Sequence, residues 1–476
     1  MTGVSVVGLG KLGACIAACL ASKGFTVIGV DANSHTVNLI NQGRAPVVEP
    51  GLNELIAANC DRLVATIDCE AAVLESDLTF IVVPTPSEDH GGFSLRYVIP
   101  VARAIGRALR RKDDYHIVAL TSTVLPGSTQ FAVLPVLERE AEKACGSAFA
   151  LCYNPAFVAL GNVIHDLMNP DFVLFGECDE RAGNKLEAFY KVICGNSPSI
   201  ARMNFVNAEL TKIAVNTFLT MKIAFANMVS ELCEQLPGGD VDVVTGALGL
   251  DSRIGKRYLK GGLGYGGPCF PRDNVALAFL ARQLNRQAVL AESTDRFNRQ
   301  VAESLIGKIQ RYLRPGSAVA VLGLSYKPLS NVVEESQGLY LADRLAANGV
   351  SVVVYDPIAM ENARDVLGGR VRYAGSVWEA LAESDVVVVA NPDPAFLSIR
   401  PIDFPQRATP ITVIDCWRAL VDAFSTAPNV EYVPLGIGSH DTAFINRLAE
   451  IWSGRAGTEP PCPPASLQQE AVPRAP

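Results

Sequence analysis

Short apolar runs alternate with helix-length segments along the first third of the chain. The runs fall at residues 4–7, 25–30, 78–83, 116–120 and 150–153, and an alanine-rich helical pattern follows the first of them. Runs of this length between turn residues predict buried strands, and strands that alternate with helices predict a parallel sheet covered by helices on both faces. Such sheets bind ligands at the carboxyl ends of their strands.

The carboxyl third repeats this pattern on a smaller scale. Apolar runs at 318–323, 352–355, 386–390 and 411–414 predict strands, and residues 337–347 have a helical pattern. Between the two regions, residues 207–235 contain few helix breakers and predict one long helix. We therefore expect an α/β fold in which two Rossmann-like, doubly wound parallel-sheet domains are joined by a long central helix.

The turn after the first predicted strand has the sequence GLGKLG, residues 8–13, and the second strand leads to Asp31. Gly8, Gly10 and Gly13 allow a pyrophosphate to sit on the amino terminus of the next helix, in the turn that also holds Leu12. Asp31 is expected to bind the adenosine ribose hydroxyls and to repel a 2′-phosphate, which favours NAD over NADP. A glycine turn without a ligand is the weaker alternative.

Two further strand ends carry threonines. Thr85 follows the strand at 78–83, and Thr123 follows the strand at 116–120. Their position at the carboxyl edge of the sheet makes both candidates for the cofactor side of a site. Taken alone, Thr123 is more simply explained by a turn in which its hydroxyl bonds to nearby backbone.

A glycine-rich loop over residues 253–273 holds Cys269 between Gly-Gly-Pro and Phe-Pro-Arg-Asp. Glycines let a backbone approach a ligand closely. A cysteine near cations in such a loop is expected to be a nucleophile with a lowered pKa. The alternative is a structural cysteine buried in a tight turn.

Lys212 and Asn216 are four residues apart in the predicted central helix and so share one face. Two polar groups on an apolar face are unfavourable unless they are paired or functional, and a solvated stripe is an equally good explanation. A long helix between two α/β units is also a natural surface for a homodimer.

The composition describes an ordinary globular protein, with 476 residues, 49% hydrophobic and 19% charged. A net charge of −8 argues against non-specific binding to nucleic acid or an anionic membrane. The 12 cysteines form no CxxC pair, so neither a metal site nor a disulfide framework is expected, and reduced thiols fit a cytoplasmic location. We expect no signal peptide and no membrane-spanning segment.

The motifs together resemble the UDP-glucose/GDP-mannose dehydrogenase family of nucleotide-sugar 6-dehydrogenases, from residue 1 to about 448. They are, in order, GLGKLG, VDANS, QGRAPVVEPGL, VVPTPS, TSTVLPGS, YNPAF, NAELTKIAVN, the 253–273 loop, LGLSYKP and VYDP. The resemblance implies oxidation of a sugar C6 alcohol to a carboxylate with two NAD+. It also implies an NAD-binding domain at 1–200, a central helical and dimerisation domain at 201–312, a UDP-sugar-binding domain at 313–452 and a disordered Pro-rich tail at 453–476.

The resemblance also implies roles for individual residues. Cys269 would attack the C6 aldehyde, Lys212 and Asn216 would stabilise negative charge on the C6 oxygen, and Asp273 with Thr123 would position a water. Contacts to the nucleotide sugar, of which one could come from a partner subunit, are expected from Phe157, Lys212, Arg253, Tyr258, Lys260, Gly266, Lys327 and Arg418.

The chain departs from the family pattern where a Pro-Glu-Phe motif usually supplies the general base for thioester hydrolysis. Here that motif reads Pro-Ala156-Phe, a second common glutamate is Leu160, and an arginine after the Tyr-Lys motif is Glu334. Asp273, through its water, and Glu49 are the candidates to replace the missing base. We expect slow release of the acid.

Two other classes of function stay open at this point. One is a nucleotide-sugar-binding protein without catalysis, and the other, ranked last, is a two-electron hydroxyacid dehydrogenase. In the family that the chain resembles, Phe157 follows the pattern of UDP-glucose members and not that of UDP-N-acetylhexosamine members. The resemblance therefore favours oxidation of UDP-glucose to UDP-glucuronate, while a UDP-N-acetylhexosamine or GDP-mannose stays open as the substrate. The family's pathways supply precursors for polysaccharide biosynthesis.

Overall fold

The computed structural model describes residues 3–453, apart from 426, 428, 440 and 441. The predicted disordered tail lies outside the described residues except for Ser453, which directly follows the last helix. The first sheet has eight strands: β1 (Gly3–Val7), β2 (Thr26–Val30), β3 (Leu63–Thr66), β4 (Leu78–Ile81), β5 (His116–Leu120), β6 (Phe149–Tyr153), β7 (Phe172–Glu177) and β8 (Ser199–Met203).

The strand order of this sheet is β3-β2-β1-β4-β5-β6-β7-β8. Every pair is parallel except β6 and β7, in which Tyr153 lies opposite Gly176 in an antiparallel register. The chain between these two strands turns back at the carboxyl edge of β6, so β7 runs in the reverse direction. The predicted parallel sheet is thus confirmed with one antiparallel pair.

Eight α-helices belong to this part of the chain: α1 (Lys11–Ser22), α2 (Ser34–Asn41), α3 (Leu52–Ala57), α4 (Cys69–Leu74), α5 (Val98–Arg111), α6 (Leu134–Ala141), α7 (Val163–Met168) and α8 (Glu180–Ile193). A π-helical segment, Thr129–Val133, directly precedes α6. The helices cover both faces of the sheet, and two separate apolar clusters form the core on its two sides. This is the doubly wound arrangement expected from the sequence.

The central layer consists of α9 (Phe205–Gln235), α10 (Val241–Leu248), α11 (Phe270–Gln283) and α12 (Val289–Gln310). The 31-residue α9 starts at the cap residue Asn204, whose side chain accepts a hydrogen bond from the Asn207 N–H, and it packs against β7, α11 and α12. By length and composition α9 is apolar enough to cross a membrane, and 44% of its most apolar window is buried within the fold. Because α9 packs on three other elements, we describe it as a core helix.

The second sheet has six strands, β9 (Ala318–Leu322), β10 (Ser351–Tyr355), β11 (Arg372–Tyr373), β12 (Val386–Val389), β13 (Ile411–Asp415) and β14 (Val430–Pro434). Their order is β11-β10-β9-β12-β13-β14, and all pairs are parallel. The helices of this unit are α13 (Gln337–Ala347), α14 (Met360–Leu367), α15 (Val377–Ala382), α16 (Val421–Phe424) and α17 (Thr442–Trp452). The second, smaller Rossmann-like unit is therefore confirmed.

Candidate functional site

The glycine turn after β1 is packed tightly at two positions and open at a third. Gly8 has φ +97°, and a Cβ there would lie 2.6 Å from the Val82 carbonyl oxygen, while a Cβ at Gly13 would lie 1.7 Å from the Gly8 oxygen. At Gly10, by contrast, a Cβ would meet no atom within 4 Å. The open space therefore lies at the amino terminus of α1, where free N–H groups favour an anion, and it fits the pyrophosphate of a dinucleotide.

The carboxylate of Asp31 holds this turn in shape. One oxygen accepts from the Leu9 N–H at 2.8 Å, and the other accepts from the Asn33 N–H at 2.8 Å. Each carboxylate oxygen has a second lone pair, so Asp31 is still able to accept from ribose hydroxyls. Leu12 is half-buried and packs against the first core, so its place in the motif is explained by packing.

Thr85 and Thr123 lie together at the carboxyl edge of the first sheet. The buried Thr85 hydroxyl donates to the Thr123 carbonyl oxygen at 2.7 Å. Arg272 donates to the Thr85 carbonyl oxygen at 3.0 Å, and its guanidinium lies 4.4 Å from the centre of the Phe93 ring. Arg272 was not singled out from the sequence, although it is adjacent to Asp273. Arg272 connects the loop of Thr85 to α11, the helix that follows the cysteine.

Cys269 is the residue immediately before α11, at the helix amino terminus. The residue as a whole is exposed, whereas its thiol is surrounded by protein atoms. This burial, together with the charge of Asp273, raises the pKa of the thiol above its ordinary value, and the cations Lys212 and Arg272 offset only part of the effect. The expectation of a lowered pKa is therefore wrong for this structure, because desolvation outweighs the nearby cations.

Lys212, Asn216 and Asp273 are brought together beneath the cysteine loop. The Asn216 amide donates to one Asp273 oxygen at 2.6 Å. The other Asp273 oxygen is buried without a hydrogen-bond partner, 3.7 Å from Arg272 Nε. Burial raises the pKa of Asp273 and lowers the pKa of Lys212. All three side chains are buried, so they do not form a solvated stripe.

The Lys212 ammonium contacts the loop that contains the departure from the family motif. It donates to the Ala156 carbonyl oxygen at 2.7 Å and lies 4.5 Å from the centre of the Phe157 ring. Phe157 in turn packs against Phe172 at 4.7 Å between ring centres. Phe157 and the carbonyl of Ala156 thus fix the position of the lysine.

Glu49 has a structural role. Its two oxygens accept from the Gly161 and Val163 N–H groups, each at 2.9 Å, so the carboxylate caps the start of α7. Leu160 is half-buried and packs against the first core. Leu160 has no carboxylate, and both oxygens of Glu49 are already occupied by backbone N–H groups. This weakens the expectation that Glu49 replaces the missing base.

Arg253, Tyr258 and Lys260 lie on the exposed part of the cysteine loop. The Arg253 side chain is 87% exposed and pairs with Asp251 at 2.6 Å. Tyr258 has a left-handed φ of +63°, and its ring meets Phe270 edge-on. Within one chain, the structure does not bring Arg253 or Lys260 to the buried polar group beneath Cys269.

The segment 323–336 of the second unit reaches across to the cysteine loop. A Cβ at Gly266 would lie 2.3 Å from the Glu335 carbonyl oxygen, and the Gly267 N–H donates to the Glu334 carbonyl oxygen at 3.0 Å. Gly266 is thus required for close packing of the two segments. Lys327, on the same segment, is half-buried. Burial lowers the pKa of its ammonium group, and the negative charge of Glu49 raises it by a smaller amount.

Arg418 fastens the second sheet to the central layer. Its guanidinium makes two hydrogen bonds to Asp242, at 2.7 and 2.9 Å, and it also donates to the Leu435 and Gly261 carbonyl oxygens. The side chain is 3% exposed. This geometry gives Arg418 a structural role between units and leaves no exposed donor for the substrate contact that the resemblance implied.

Glu209 is a second residue that sequence reasoning missed. Its carboxylate is fully buried and accepts from the Gly127 and Thr129 N–H groups at 2.6 and 2.7 Å. It therefore fixes the loop that carries Thr123. The sequence did contain an indication of its importance. Glu209 stands three positions before Lys212 on the same helix face, and a charged residue on an apolar face is costly unless it is paired or functional.

Three family models match the chain. They are the NAD binding, central and UDP binding domains of the UDP-glucose/GDP-mannose dehydrogenase family, at residues 2–194, 206–300 and 320–422. A UDP-glucose 6-dehydrogenase of Haloferax volcanii is 36% identical over 392 residues, 82% of this chain and 90% of that protein. A GDP-mannose 6-dehydrogenase of Azotobacter vinelandii is 34% identical and covers 83% of this chain and 92% of that protein.

Solved structures agree with these matches. A UDP-glucose dehydrogenase from the hyperthermophilic archaeon Pyrobaculum islandicum superimposes with a TM-score of 0.81 at 35% identity, covering 92% of this chain and 97% of that one. A UDP-D-ManNAc dehydrogenase from Pyrococcus horikoshii gives a TM-score of 0.78 at 25% identity, covering 91% and 99%. With the open dinucleotide turn and the polar group beneath Cys269, these matches show that the chain belongs to the UDP-glucose/GDP-mannose dehydrogenase family and is an NAD-dependent nucleotide-sugar 6-dehydrogenase.

Proposed function

We propose that the protein oxidises UDP-glucose to UDP-glucuronate through covalent intermediates on Cys269. The observation that carries this proposal is the position of Cys269 at the start of α11, above the buried group formed by Lys212, Asn216 and Asp273. A nucleophile, a cation for the carbonyl oxygen and a carboxylate for proton transfer are the parts that acyl chemistry requires.

The residues of the site divide the tasks of this reaction among them. When bound, NAD accepts the hydrogen and electron pair that C6 loses in each of the two oxidations. Cys269 attacks the C6 aldehyde to form a thiohemiacetal, which the second oxidation converts to a thioester. Lys212 Nζ, held by the Ala156 carbonyl, stabilises negative charge on the C6 oxygen together with Asn216. Thr123 and Asp273 hold a water molecule that takes up the proton of the C6 alcohol during the first oxidation.

Hydrolysis of the thioester is the slow step in this proposal. A general base accelerates its own step by about 10²- to 10⁴-fold, and alanine at position 156 has no group that accepts a proton. Hydride removal and thioester formation do not depend on that position, since Cys269, Lys212 and Asp273 are in place. The enzyme should therefore accumulate an acyl-enzyme.

The choice of UDP-glucose rests on Phe157, because the relatives do not separate the two nucleotide sugars. Curated relatives at similar identity include both UDP-glucose and GDP-mannose 6-dehydrogenases. UDP-N-acetylhexosamines and GDP-mannose are the competing substrates, and a direct comparison of initial rates with the three nucleotide sugars decides between them. Lys327 and Gly266 would line the sugar-nucleotide side, at the contact between the 323–336 segment and the cysteine loop.

We further propose that the protein is a homodimer formed through α9 and acts in the cytoplasm. Large apolar side chains stand exposed along this helix at 41–58% of their area: Leu210, Phe218, Phe225, Met228 and Leu232. Such a row is typical of a subunit interface. In the dimer, the exposed Arg253, Tyr258 and Lys260 would reach the partner's substrate. Phe225→Glu should convert the dimer to a monomer in light scattering; an unchanged mass would overturn this interface.

The domain boundaries at 200, 312 and 452 belong to this proposal as well. The first unit would bind NAD, the second would form the dimer and carry the nucleophile, and the third would bind the nucleotide. Limited proteolysis with NAD or UDP present should protect the first or the third unit respectively.

The test of the reaction mixes stoichiometric enzyme with UDP-glucose and excess NAD+. NADH is followed, and the intact protein is weighed at intervals. We expect a burst, a slow phase and a sugar-nucleotide adduct that is absent in Cys269→Ser. Rapid turnover with two NADH per sugar and no adduct would contradict slow hydrolysis, and no NADH with any nucleotide sugar would contradict the proposed reaction.

A further inference from the structure

We propose that Asp273 is the general base that takes a proton from the water that hydrolyses the Cys269 thioester. This inference rests on the proposed function. Asp273 supplies part of the acceleration that a glutamate at position 156 would give, so hydrolysis has a base and is still slower than the two oxidations. It gives Asp273 a second task, after its part in the oxidation of the alcohol.

Asp273 is fixed one helical turn after the nucleophile. Its N–H donates to the Cys269 carbonyl oxygen at 2.9 Å, which is the first hydrogen bond of α11. Side chains four residues apart lie on the same face of a helix. A carboxylate at this position therefore lies on the same side of α11 as the sulfur that carries the acyl group, close enough for its charge to act on that sulfur.

One oxygen of Asp273 is held in place and the other is available. Asn216 donates to the first at 2.6 Å, which fixes the plane of the carboxylate. The second makes no hydrogen bond although the residue is only 1% exposed, and its nearest cation is Arg272, whose Nε lies 3.7 Å away in an ion pair. An unpaired carboxylate oxygen in a buried site is costly unless a water or substrate hydroxyl donates to it.

No other described carboxylate offers the same geometry. Glu49 uses both oxygens to cap α7, and Glu209 uses both to hold the Thr123 loop. Glu334 lies on the segment beside the cysteine loop and is exposed. Asp273 thus combines proximity to Cys269, a fixed plane and one oxygen that accepts no hydrogen bond.

The charges around Asp273 suit a base. Arg272 on the same helix and Lys212 on α9 favour its ionised form, while Cys269 and Tyr153 are the other titratable groups that face it. Burial nevertheless raises the pKa of the carboxyl, so its conjugate acid is weaker than an ordinary aspartic acid. A base whose pKa is moved towards the working pH is more effective in proton transfer.

The step is balanced in atoms and charge. Asp273 takes one proton from water while the water oxygen bonds to C6, and Lys212 stabilises the resulting oxyanion. The C6–S bond then breaks, and the Cys269 sulfur leaves with the electron pair and receives the proton from Asp273. The sugar carboxylic acid releases its own proton to solvent, which leaves free enzyme and a carboxylate.

The experiment measures the decay of the thioester directly. Full-length enzyme is loaded from the nucleotide-sugar C6 aldehyde and NAD+, which requires only the second oxidation, and the acylated fraction is followed by intact mass. Four proteins are compared: wild type, Asp273→Asn, Ala156→Glu, and the double variant Asp273→Asn/Ala156→Glu. Glu49→Gln is the matched control, since that carboxylate is also buried but has a capping role.

We expect Asp273→Asn to slow decay of the adduct at least about 100-fold, and the double variant to regain at least about tenfold of that loss. Glu49→Gln should decay like wild type. Decay of Asp273→Asn at the wild-type rate, or a double variant no faster than Asp273→Asn, would overturn the assignment.

The pH dependence of the wild-type adduct gives a second measurement that needs no variant. The rate of decay should fall as pH falls through the raised pKa of Asp273 and level off above it. A rate that keeps rising with hydroxide concentration, without a plateau, would contradict a base in the protein. If the wild type forms no adduct with any nucleotide sugar or aldehyde, the proposed function fails and not this assignment.

Discussion

The two parallel sheets of this protein begin with the same turn. Gly8 after β1 has φ +97°, and Gly323 after β9 has φ +98°. Each turn glycine presents its carbonyl oxygen to a second glycine on the following helix. A Cβ at Gly13 would lie 1.7 Å from the first oxygen, and one at Gly338 would lie 2.0 Å from the second. The close packing of helix on strand is therefore the same in both units.

An acid at the end of the neighbouring strand supports each turn. Asp31 accepts from the Leu9 N–H, and Asp356 accepts from the Leu324 and Ser325 N–H groups at 2.8 and 3.0 Å. The acid is thus part of the fold in both sheets, whether or not a ribose is bound.

The two units differ in the residues that come directly after the turn. In the first unit the helix starts at Lys11, directly after the open space at Gly10. In the second unit the helix starts only at Gln337. The turn is also closed there, because a Cβ at Gly323 would lie 2.3 Å from the Asn391 side chain. The intervening residues reach the cysteine loop instead. A glycine turn is thus first a folding device, and it becomes a dinucleotide site only where one glycine faces open space.

The largest effect should come from the two buried glycines. Gly13→Ala and Gly338→Ala each force a Cβ against backbone, and we expect each to destabilise its own unit by about 3 kcal/mol. Calorimetry should show a lowered unfolding transition in both variants. If only Gly13→Ala were destabilised, the two turns would not be packed alike.

Replacement of Asp31 and Asp356, the acids that support the two turns, should have the next largest effect. It should also show that only the first turn contributes to NAD binding. Asp356 is buried and accepts from five donors, so Asp356→Asn should lower stability by about 2 kcal/mol and leave NAD affinity unchanged. Asp31→Asn should lower stability less and weaken NAD binding about tenfold. Binding titration with NAD+ and thermal unfolding of both variants check this; equal loss of NAD affinity would argue for a dinucleotide in both sheets.

Gly10→Ala should affect only the ligand. Its Cβ meets no protein atom, so stability should change by less than about 0.5 kcal/mol, while NAD affinity should fall about tenfold because the methyl group occupies the pyrophosphate space. Gly307→Ala, in α12 and equally unobstructed, is the control. Unchanged NAD affinity in Gly10→Ala would contradict the open-turn explanation.

The smallest effect should be on the reactivity of Cys269, when a charge is removed from the segment 323–336 that contacts the cysteine loop. Glu334 raises the pKa of Cys269, so Glu334→Gln should lower that pKa and increase the thiolate fraction at pH 7. We expect alkylation of Cys269 by iodoacetamide to become about threefold faster, whereas Glu335→Gln should change it little. A slower reaction in Glu334→Gln would show that the segment acts on the thiol by packing and not by charge.

The buried strands and the long helix could be predicted from the sequence because their apolar runs are continuous. The predicted helix at 337–347 and the strand at 116–120 agree with α13 and β5 residue for residue. Five strands were missed, and four of these, β3, β8, β11 and β14, lie at sheet edges. These four strands contain exposed or half-buried positions, and β11 has only two residues, so none of them gives a continuous apolar run.

The motifs were enough to identify Lys212, Asn216 and Asp273 as site residues. They could not predict the contacts that hold these residues in place. Arg272 bonds to Thr85 across 187 positions, and a sequence contains no sign of such a pairing. Arg418 shows the opposite problem, since a motif position suggested a substrate contact whereas Asp242 neutralises and buries it. The raised pKa of Cys269 also depends on desolvation, which only the packed structure shows.

The hydrogen bond from Lys212 to the Ala156 carbonyl bears on how enzymes of this family can vary. The acceptor belongs to the main chain, so the lysine stays anchored whichever side chain occupies position 156. Exchange between alanine and glutamate there would change how long the acyl group remains on the enzyme without disturbing the charge that helped to form it. In the proposed mechanism, a substitution at position 156 would therefore change the rate of product release without moving the lysine that supports formation of the acyl-enzyme.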